Sequence, residues 1–216
     1  MLTLFGETLW DSPSVFTAYV ALREKGVEFE ERALELRRGE QREAGFAGPS
    51  LTGKVPTIEH DGFWLSESLA IVEYLEERFP PPAHPPLWPQ AIEQRARARQ
   101  LVFWLRSDAL GALRRERPAD GIFYTPPGAP LGERAAAQAA ALVRIAERVL
   151  APDAPHVAGP WSIADAELAF ALMRMIRAGD PLPERLTRWA EGAWQRPSVR
   201  AFVDHDRPAD PHQMAR

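Results

Sequence analysis

Two short motifs could bind an anion, because each stands where a helix is predicted to begin. Ser12 precedes Pro13, and Glu67 precedes Ser68 ahead of a second apolar helical pattern. The N-terminus of a helix presents N–H groups without intrahelical partners and a partial positive charge, which together favour an anion. Plain helix capping is the alternative for these serines, with Ser66 as a further cap candidate.

The sequence lacks the residues that several other kinds of catalytic site require. The 216-residue sequence contains no cysteine, which excludes disulfides, thiolate zinc sites and a protein-thiol nucleophile. Its five histidines are scattered without ligand spacing, and no Gly-rich phosphate loop occurs. The formal net charge of -4 argues against a nucleic-acid-binding surface. We therefore expect no metal site, no nucleotide site and no nucleic-acid partner.

The start of the chain and its hydropathy predict a protein without a membrane partner. No apolar run approaches the ~18–20 residues of a membrane span. Residues 1–6 show no basic region ahead of an apolar stretch. We expect a soluble, cytoplasmic protein that is complete as written.

Strand and helix patterns alternate over the first eighty residues. A strand at 2–5 is followed by a helix with Ser12 as N-cap, Pro13 at its first position and Gly26 just past its end. Further strands are predicted at 27–36, 55–59 and 63–65, with an Asp61-Gly62 turn between the last two. A second amphipathic helix follows at about 69–79.

Helical patterns dominate the sequence after five prolines between positions 80 and 86. Helices are predicted at about 90–117 (one long helix), 131–150, 162–178, 183–192 and 197–204, with a loop at 118–130 and a frayed end over the last ten residues. The predicted fold is an α/β domain at 1–80, a Pro-rich linker at 81–89, an all-α helical bundle at 90–205 and a tail at 206–216.

The apolar helix near position 163 opens with Ser162-Ile-Ala-Asp165. This is the pattern of a capping box, in which Ser162 and Asp165 satisfy backbone N–H groups of the first turn. We assign both residues to folding rather than to chemistry.

The order of these elements resembles a thioredoxin-like domain followed by the helical domain of a cytosolic glutathione S-transferase. The resemblance is carried by Ser12-Pro13, Val55-Pro56, Glu67-Ser68 and the capping box, and it extends over residues 2–204. The Ser-Pro pair and the long Arg- and Ala-rich helix are most similar to bacterial serine-type (theta/zeta-like) members.

The resemblance implies a glutathione site. Ser68 would hold the γ-glutamyl carboxylate through its N–H and hydroxyl, and Glu67 would pair with the γ-glutamyl ammonium. Pro56 would be cis, and the backbone of Val55 would pair with the cysteinyl part of glutathione. Lys54 could reach the glycyl carboxylate, although a surface lysine needs no explanation.

The resemblance also implies that Ser12 donates a hydrogen bond to the glutathione thiolate. Ser14 is a second candidate and Thr8 a more remote third. Asp108, on the long helix, is a further candidate contact to the γ-glutamyl ammonium, of its own or of the partner subunit. An acid in the middle of a long helix is more often simply solvated.

The expected function is conjugation of glutathione, as co-substrate, to small apolar electrophiles. Two alternatives use the same site: reduction of a peroxide or disulfide, and isomerisation of a double bond. A non-catalytic interaction protein with this fold is a third. The resemblance further implies a homodimer and no metal.

Overall fold

The computed structural model describes residues 1–126, 128–151 and 154–209. The chain divides into two compact units, one made of Met1–Leu87 with the chain from Ala201 onward, and the other of Trp88–Arg200. Among the described residues, no helix is both long and apolar enough to cross a membrane.

The first unit is a four-stranded mixed sheet with helices. Its elements are β1 (Leu2–Glu7), α1 (Pro13–Lys25), β2 (Glu30–Leu34), α2 (Ala44–Ala47), β3 (Thr57–His60), β4 (Phe63–Ser66) and α3 (Ser68–Arg78). The strand order is β2-β1-β3-β4, with β1 parallel to β2 and the other pairs antiparallel.

The strand register brings three chain segments to one end of this sheet. Phe5 of β1 is opposite Thr57 of β3, and Thr57 is opposite Ser66 of β4. The loop after β1, the residues before β3 and the start of α3 therefore all leave the sheet at the same end.

Local sequence signals explain where α1 begins and ends. Ser12 is extended (φ -66°, ψ 124°) and its side chain accepts the Val15 N–H, while Pro13 occupies the first turn. Gly26 ends the helix in the left-handed conformation (φ 64°), which glycine adopts without a Cβ penalty. The predicted helix is confirmed at both ends. The second strand begins at Glu30 rather than at 27, because the Val27 N–H still bonds to the Leu22 carbonyl of α1.

The second unit consists of helices within its described residues. They are α4 (Ile92–Arg106), α5 (Gly111–Glu116), α6 (Asp120–Phe123), α7 (Glu133–Val149), α8 (Ile163–Ala178) and α9 (Glu184–Trp194), with α10 (Pro197–Val203) leading into the chain from Ala201. The predicted α/β-then-all-α fold class is confirmed.

The prediction of one helix from 90 to 117 was wrong. The backbone of Ser107 is extended (φ -72°, ψ 173°), which ends α4 at Arg106. The Ser107 hydroxyl accepts the Ala109 N–H and so starts a 3₁₀ turn at Asp108–Leu110 before α5. A serine that caps a new turn competes with helix continuation. The loop predicted at 118–130 contains the short helix α6, and Pro127 lies outside the described residues.

The frayed end predicted for the last ten residues was wrong at Arg207, whose guanidinium bonds to several backbone carbonyls. Residues 210–216 of that predicted tail lie outside the described residues.

The first turn of α8 is held by Asp165, which is fully buried. Its carboxylate accepts the Ser162 N–H at 2.8 Å and the Val157 N–H at 2.9 Å. The Ser162 hydroxyl lies 3.3 Å from the same carboxylate. These contacts are those of a capping box and also tie the preceding loop to the helix.

Replacing Asp165 should therefore destabilise the protein. Asp165→Ala leaves two backbone N–H groups without their acceptor, and we expect a loss of about 2 kcal/mol in the free energy of unfolding. Urea denaturation measures it. Asp165→Asn, which keeps one acceptor oxygen, should lose less. Equal stability of Asp165→Ala and the wild type would contradict this role.

Candidate functional site

Ser12 lies at the N-terminus of α1, where the loop after β1 ends. Its hydroxyl oxygen accepts the Val15 N–H at 3.4 Å, and the residue is half-buried. Accepting this bond uses a lone pair and leaves the hydroxyl hydrogen able to donate. Ser14 is two residues further on, in the first turn of α1, and is also half-buried, whereas the Thr8 hydroxyl donates to Glu35 at 3.3 Å.

A buried carboxylate lies beneath this loop. Glu7, at the end of β1, is 6% exposed. It accepts the N–H groups of Trp10 (2.6 Å), Asp11 (3.1 Å) and Ser12 (3.0 Å). Three charge-assisted bonds thus fix the loop that carries Ser12. Sequence reasoning missed Glu7, although an acid that ends an apolar strand directly before the Ser-Pro loop was a usable signal.

Burial raises the pKa of Glu7 from 4.5 to about 7. Loss of solvation is the largest cause, and the neighbouring Asp11 carboxylate raises the pKa further. The backbone N–H groups of Ser12, Trp10 and Asp11 act in the opposite direction, because they stabilise the charged form.

Trp10 shapes the middle of the loop and is held on several sides. It is 4% exposed and has a left-handed backbone (φ 48°), a strained conformation for a bulky residue. Its ring stacks on His205 with centroids 3.9 Å apart and contacts Phe202 edge-on. A Cβ on Gly6 would lie 3.2 Å from the Trp10 ring, so glycine permits this close approach. Sequence reasoning also missed these contacts with the C-terminal segment.

Val55 and Pro56 stand directly before β3, and the peptide bond between them is cis, as the resemblance implied. Pro56 is buried and Val55 is half-buried. Lys54 is exposed, and its carbonyl accepts the Thr57 hydroxyl at 2.7 Å.

Glu67 and Ser68 form the start of α3. Glu67 is the N-cap with φ 72°, and its side chain is exposed, whereas Ser68 is the first helical residue and is 4% exposed. Ser66 is still in β4, and its hydroxyl donates to the Ser50 carbonyl at 2.8 Å. The alternative in which Ser66 caps the helix is therefore wrong.

The structure brings the segments carrying most of the candidate residues to one end of the sheet. Ser12, Val55-Pro56 and Glu67-Ser68 all follow or precede the strand ends aligned by Phe5, Thr57 and Ser66. Asp108 belongs to the second unit, is exposed and opens the 3₁₀ turn before α5. Within the part of the chain that is described, His, Asp and Glu form no group of three that could hold a metal.

Comparison with known proteins gives consistent matches over both units. The family model for the glutathione S-transferase N-terminal domain matches residues 2–77, and that for the C-terminal domain matches residues 91–206. Glutathione S-transferase theta-1 of Rattus norvegicus is 31% identical over 204 residues, which are 91% of this chain and 82% of the rat protein.

Solved structures are similar over nearly the whole chain. A glutathione transferase homolog from Burkholderia, with bound glutathione, is 36% identical with a TM-score of 0.76, covering 94% of this chain and 96% of its own. A maleylacetoacetate isomerase from Methylobacterium extorquens, with bound malonate and glutathione, is 26% identical with a TM-score of 0.70, covering 96% and 99%.

The raised pKa of Glu7 predicts how stability depends on pH. The folded state holds this proton more tightly than the unfolded chain, so the Glu7 contribution is fully present below pH 4.5 and is lost as pH rises to about 7. The loss amounts to about 3 kcal/mol. Glu7→Gln cannot titrate, so its free energy of unfolding should fall less over this range.

Urea denaturation of both proteins between about pH 5 and pH 8 measures this difference. As pH rises, the free energy of unfolding of the wild type should fall relative to that of Glu7→Gln. Parallel pH profiles would show that the Glu7 carboxyl titrates alike in the folded and unfolded states.

Proposed function

Since the chain belongs to the glutathione S-transferase family, we propose that it activates glutathione with Ser12 and conjugates it to small apolar electrophiles. It is a glutathione transferase with glutathione as co-substrate, similar to theta-class members and to a homolog with bound glutathione. The observation that carries the residue assignment is the register of Phe5, Thr57 and Ser66, because it gathers the three candidate segments at one sheet end.

Glutathione binding is assigned to two segments. The N-terminus of α3 and Ser68 hold the γ-glutamyl carboxylate, and the exposed carboxylate of Glu67 pairs with the γ-glutamyl ammonium. The backbone of Val55 pairs with the cysteinyl part in the manner of a short added strand. Lys54, whose side chain is exposed, attracts the glycyl carboxylate.

Thiol activation is assigned to Ser12. A free thiol has a pKa near ~8.5, so only a few per cent is thiolate at neutral pH. The Ser12 hydroxyl donates to the sulfur, and the N-terminal dipole of α1 adds favourable charge. A pKa lowered by two units needs about 2.7 kcal/mol of preferential thiolate stabilisation. The thiolate electron pair then forms a carbon–sulfur bond as the leaving group departs with the electrons of the broken bond.

Isomerisation of a double bond is the second candidate function. It is favoured by the likeness to the maleylacetoacetate isomerase, which extends over 96% of this chain. Both reactions begin with the same thiolate. A panel that contains halogenated aromatic compounds, peroxides and cis-alkene diacids distinguishes conjugation, reduction and isomerisation by the product formed.

A homodimer in the cytoplasm is the assembly and location we propose, by analogy with the family. Sedimentation of the purified protein tests the dimer, and cell fractionation tests the location. Asp108 is retained as a candidate contact to the γ-glutamyl ammonium, and Asp108→Asn should then weaken glutathione binding.

Removal of the Ser12 hydroxyl should raise the pKa of the thiol of bound glutathione. In Ser12→Ala the thiolate loses a hydrogen-bond donor, so we expect an upward shift of about one unit or more with little change in glutathione affinity. The ultraviolet absorbance of the thiolate, followed against pH, measures it.

Ser14→Ala is the matched control, because it removes a hydroxyl from the same helical turn. Its titration should coincide with that of the wild type. If Ser14→Ala shifts the pKa and Ser12→Ala does not, the activating role belongs to Ser14.

Loss of the Ser68 hydroxyl should weaken glutathione binding rather than raise the pKa of the bound thiol. Ser68→Ala removes one bond to a carboxylate, so the dissociation constant of glutathione should rise about tenfold. Isothermal titration calorimetry measures this, and the pKa of the bound thiol should stay close to that of the wild type. Unchanged affinity would refute the carboxylate site at α3.

A further inference from the structure

The loop before α1 is held at Trp10 by two ionisable side chains, one acidic and one basic. The Trp10 N–H donates to Glu7 at 2.6 Å, and the Trp10 carbonyl accepts from Nε and a terminal nitrogen of Arg207 at 3.0 and 2.8 Å. Both backbone polar groups of one left-handed residue are therefore held by ionisable side chains. Backbone in this conformation persists where its surroundings fix it.

Arg207 comes from a distant part of the chain, 197 residues after Trp10. The same guanidinium also donates to the carbonyls of Phe202, Val203 and His205. These bonds hold the segment after α10 around the Arg207 guanidinium, which also bonds to the loop before α1. The planar guanidinium, with its five fixed donors, is suited to this convergence of carbonyls.

Ring contacts fasten the same segment to the loop. Phe202 is fully buried and contacts the rings of Trp10, Phe16 and Tyr19 edge-on. His205 stacks on Trp10, and its Nε2 lies 2.8 Å from a carboxylate oxygen of Glu31 in β2. The segment is thus joined both to the loop and to the sheet.

We propose that Glu7 and Arg207 are positioning residues that hold Trp10 from opposite sides and thereby fix Ser12 for thiolate stabilisation. The C-terminal segment 202–207 then helps to position the hydroxyl that stabilises the thiolate. This inference rests on the proposed function, since it explains how the activating hydroxyl is held.

The mechanism of the effect is geometric. Ser12 is two residues beyond Trp10, and Glu7 bonds to the N–H groups of both. Hydrogen bonds weaken steeply when distance or angle departs from the favourable range, so a shift of a few tenths of an ångström at Ser12 weakens its bond to sulfur. Binding of glutathione at Val55 and Ser68 does not depend on this loop.

The test measures the pKa of the bound glutathione thiol and the affinity for glutathione separately. In Arg207→Ala we expect the thiol pKa to rise by about one unit, a tenfold lower ratio of bound thiolate to bound thiol, with the dissociation constant measured below about pH 6 unchanged within about twofold. Ethylguanidinium at millimolar concentration should reverse part of this rise in the thiol pKa. Arg188→Ala is the matched control, because Arg188 is an exposed arginine that pairs with Glu184 of its own helix.

Glu7→Gln provides the second variant, which acts on Trp10 from the other side. It should raise the thiol pKa in the same direction, and the double variant with Arg207→Ala should shift it by less than the sum of the two single changes. If circular dichroism shows that Arg207→Ala does not fold, Glu7→Gln and its conservative counterpart Glu7→Asp carry the test.

The outcomes separate this inference from the proposed function. If wild-type protein lowers the thiol pKa, Ser12→Ala raises it and the Glu7 and Arg207 variants leave it unchanged, the positioning role is overturned and the transferase proposal stands. The positioning role is also overturned if the variants lose glutathione affinity and thiolate in parallel. If wild-type protein does not lower the thiol pKa, the activation by Ser12 itself is refuted.

Discussion

The three hydrogen bonds that Glu7 accepts from Trp10, Asp11 and Ser12 are the constraint on which the candidate site depends. A loop that turns from a buried strand into a helix exposes backbone N–H groups that need partners. One carboxylate satisfies three of them within one turn of chain. Burying that carboxylate is unfavourable, and the three bonds offset part of the penalty.

The mixed sheet supplies the other half of the site. Because β1 and β3 are antiparallel and β3 and β4 are antiparallel, the end of β1, the start of β3 and the end of β4 coincide. Val55-Pro56 and Glu67-Ser68 lie within two residues of their strand ends, and Ser12 lies five residues after the end of β1. Loops thus carry the polar groups, and hydrogen-bonded strands fix the spacing between them.

The features predictable from sequence were those encoded by neighbouring residues. The Ser12-Pro13 start, the Gly26 end of α1 and the Ser162–Asp165 capping box each have a local physical cause. The break of the long helix at Ser107 was missed, because apolar spacing continues past a cap. Arg207 could not have been assigned, since its partner lies 197 residues away and is a backbone carbonyl that has no side-chain signature.

The chain contains no cysteine, so the function proposed above depends on how the Ser12 hydroxyl is placed. The reactive sulfur arrives with the bound substrate, so the protein can stabilise the thiolate only by donors and dipoles that are already in place. Ionised Glu7 holds that donor loop most strongly, yet its raised pKa makes the ionised form the less favourable one for folding. The contribution of Glu7 to stability is therefore lost as pH rises towards about 7, whereas the contacts of Phe202 and Arg207 hold the same loop without a titrating carboxylate.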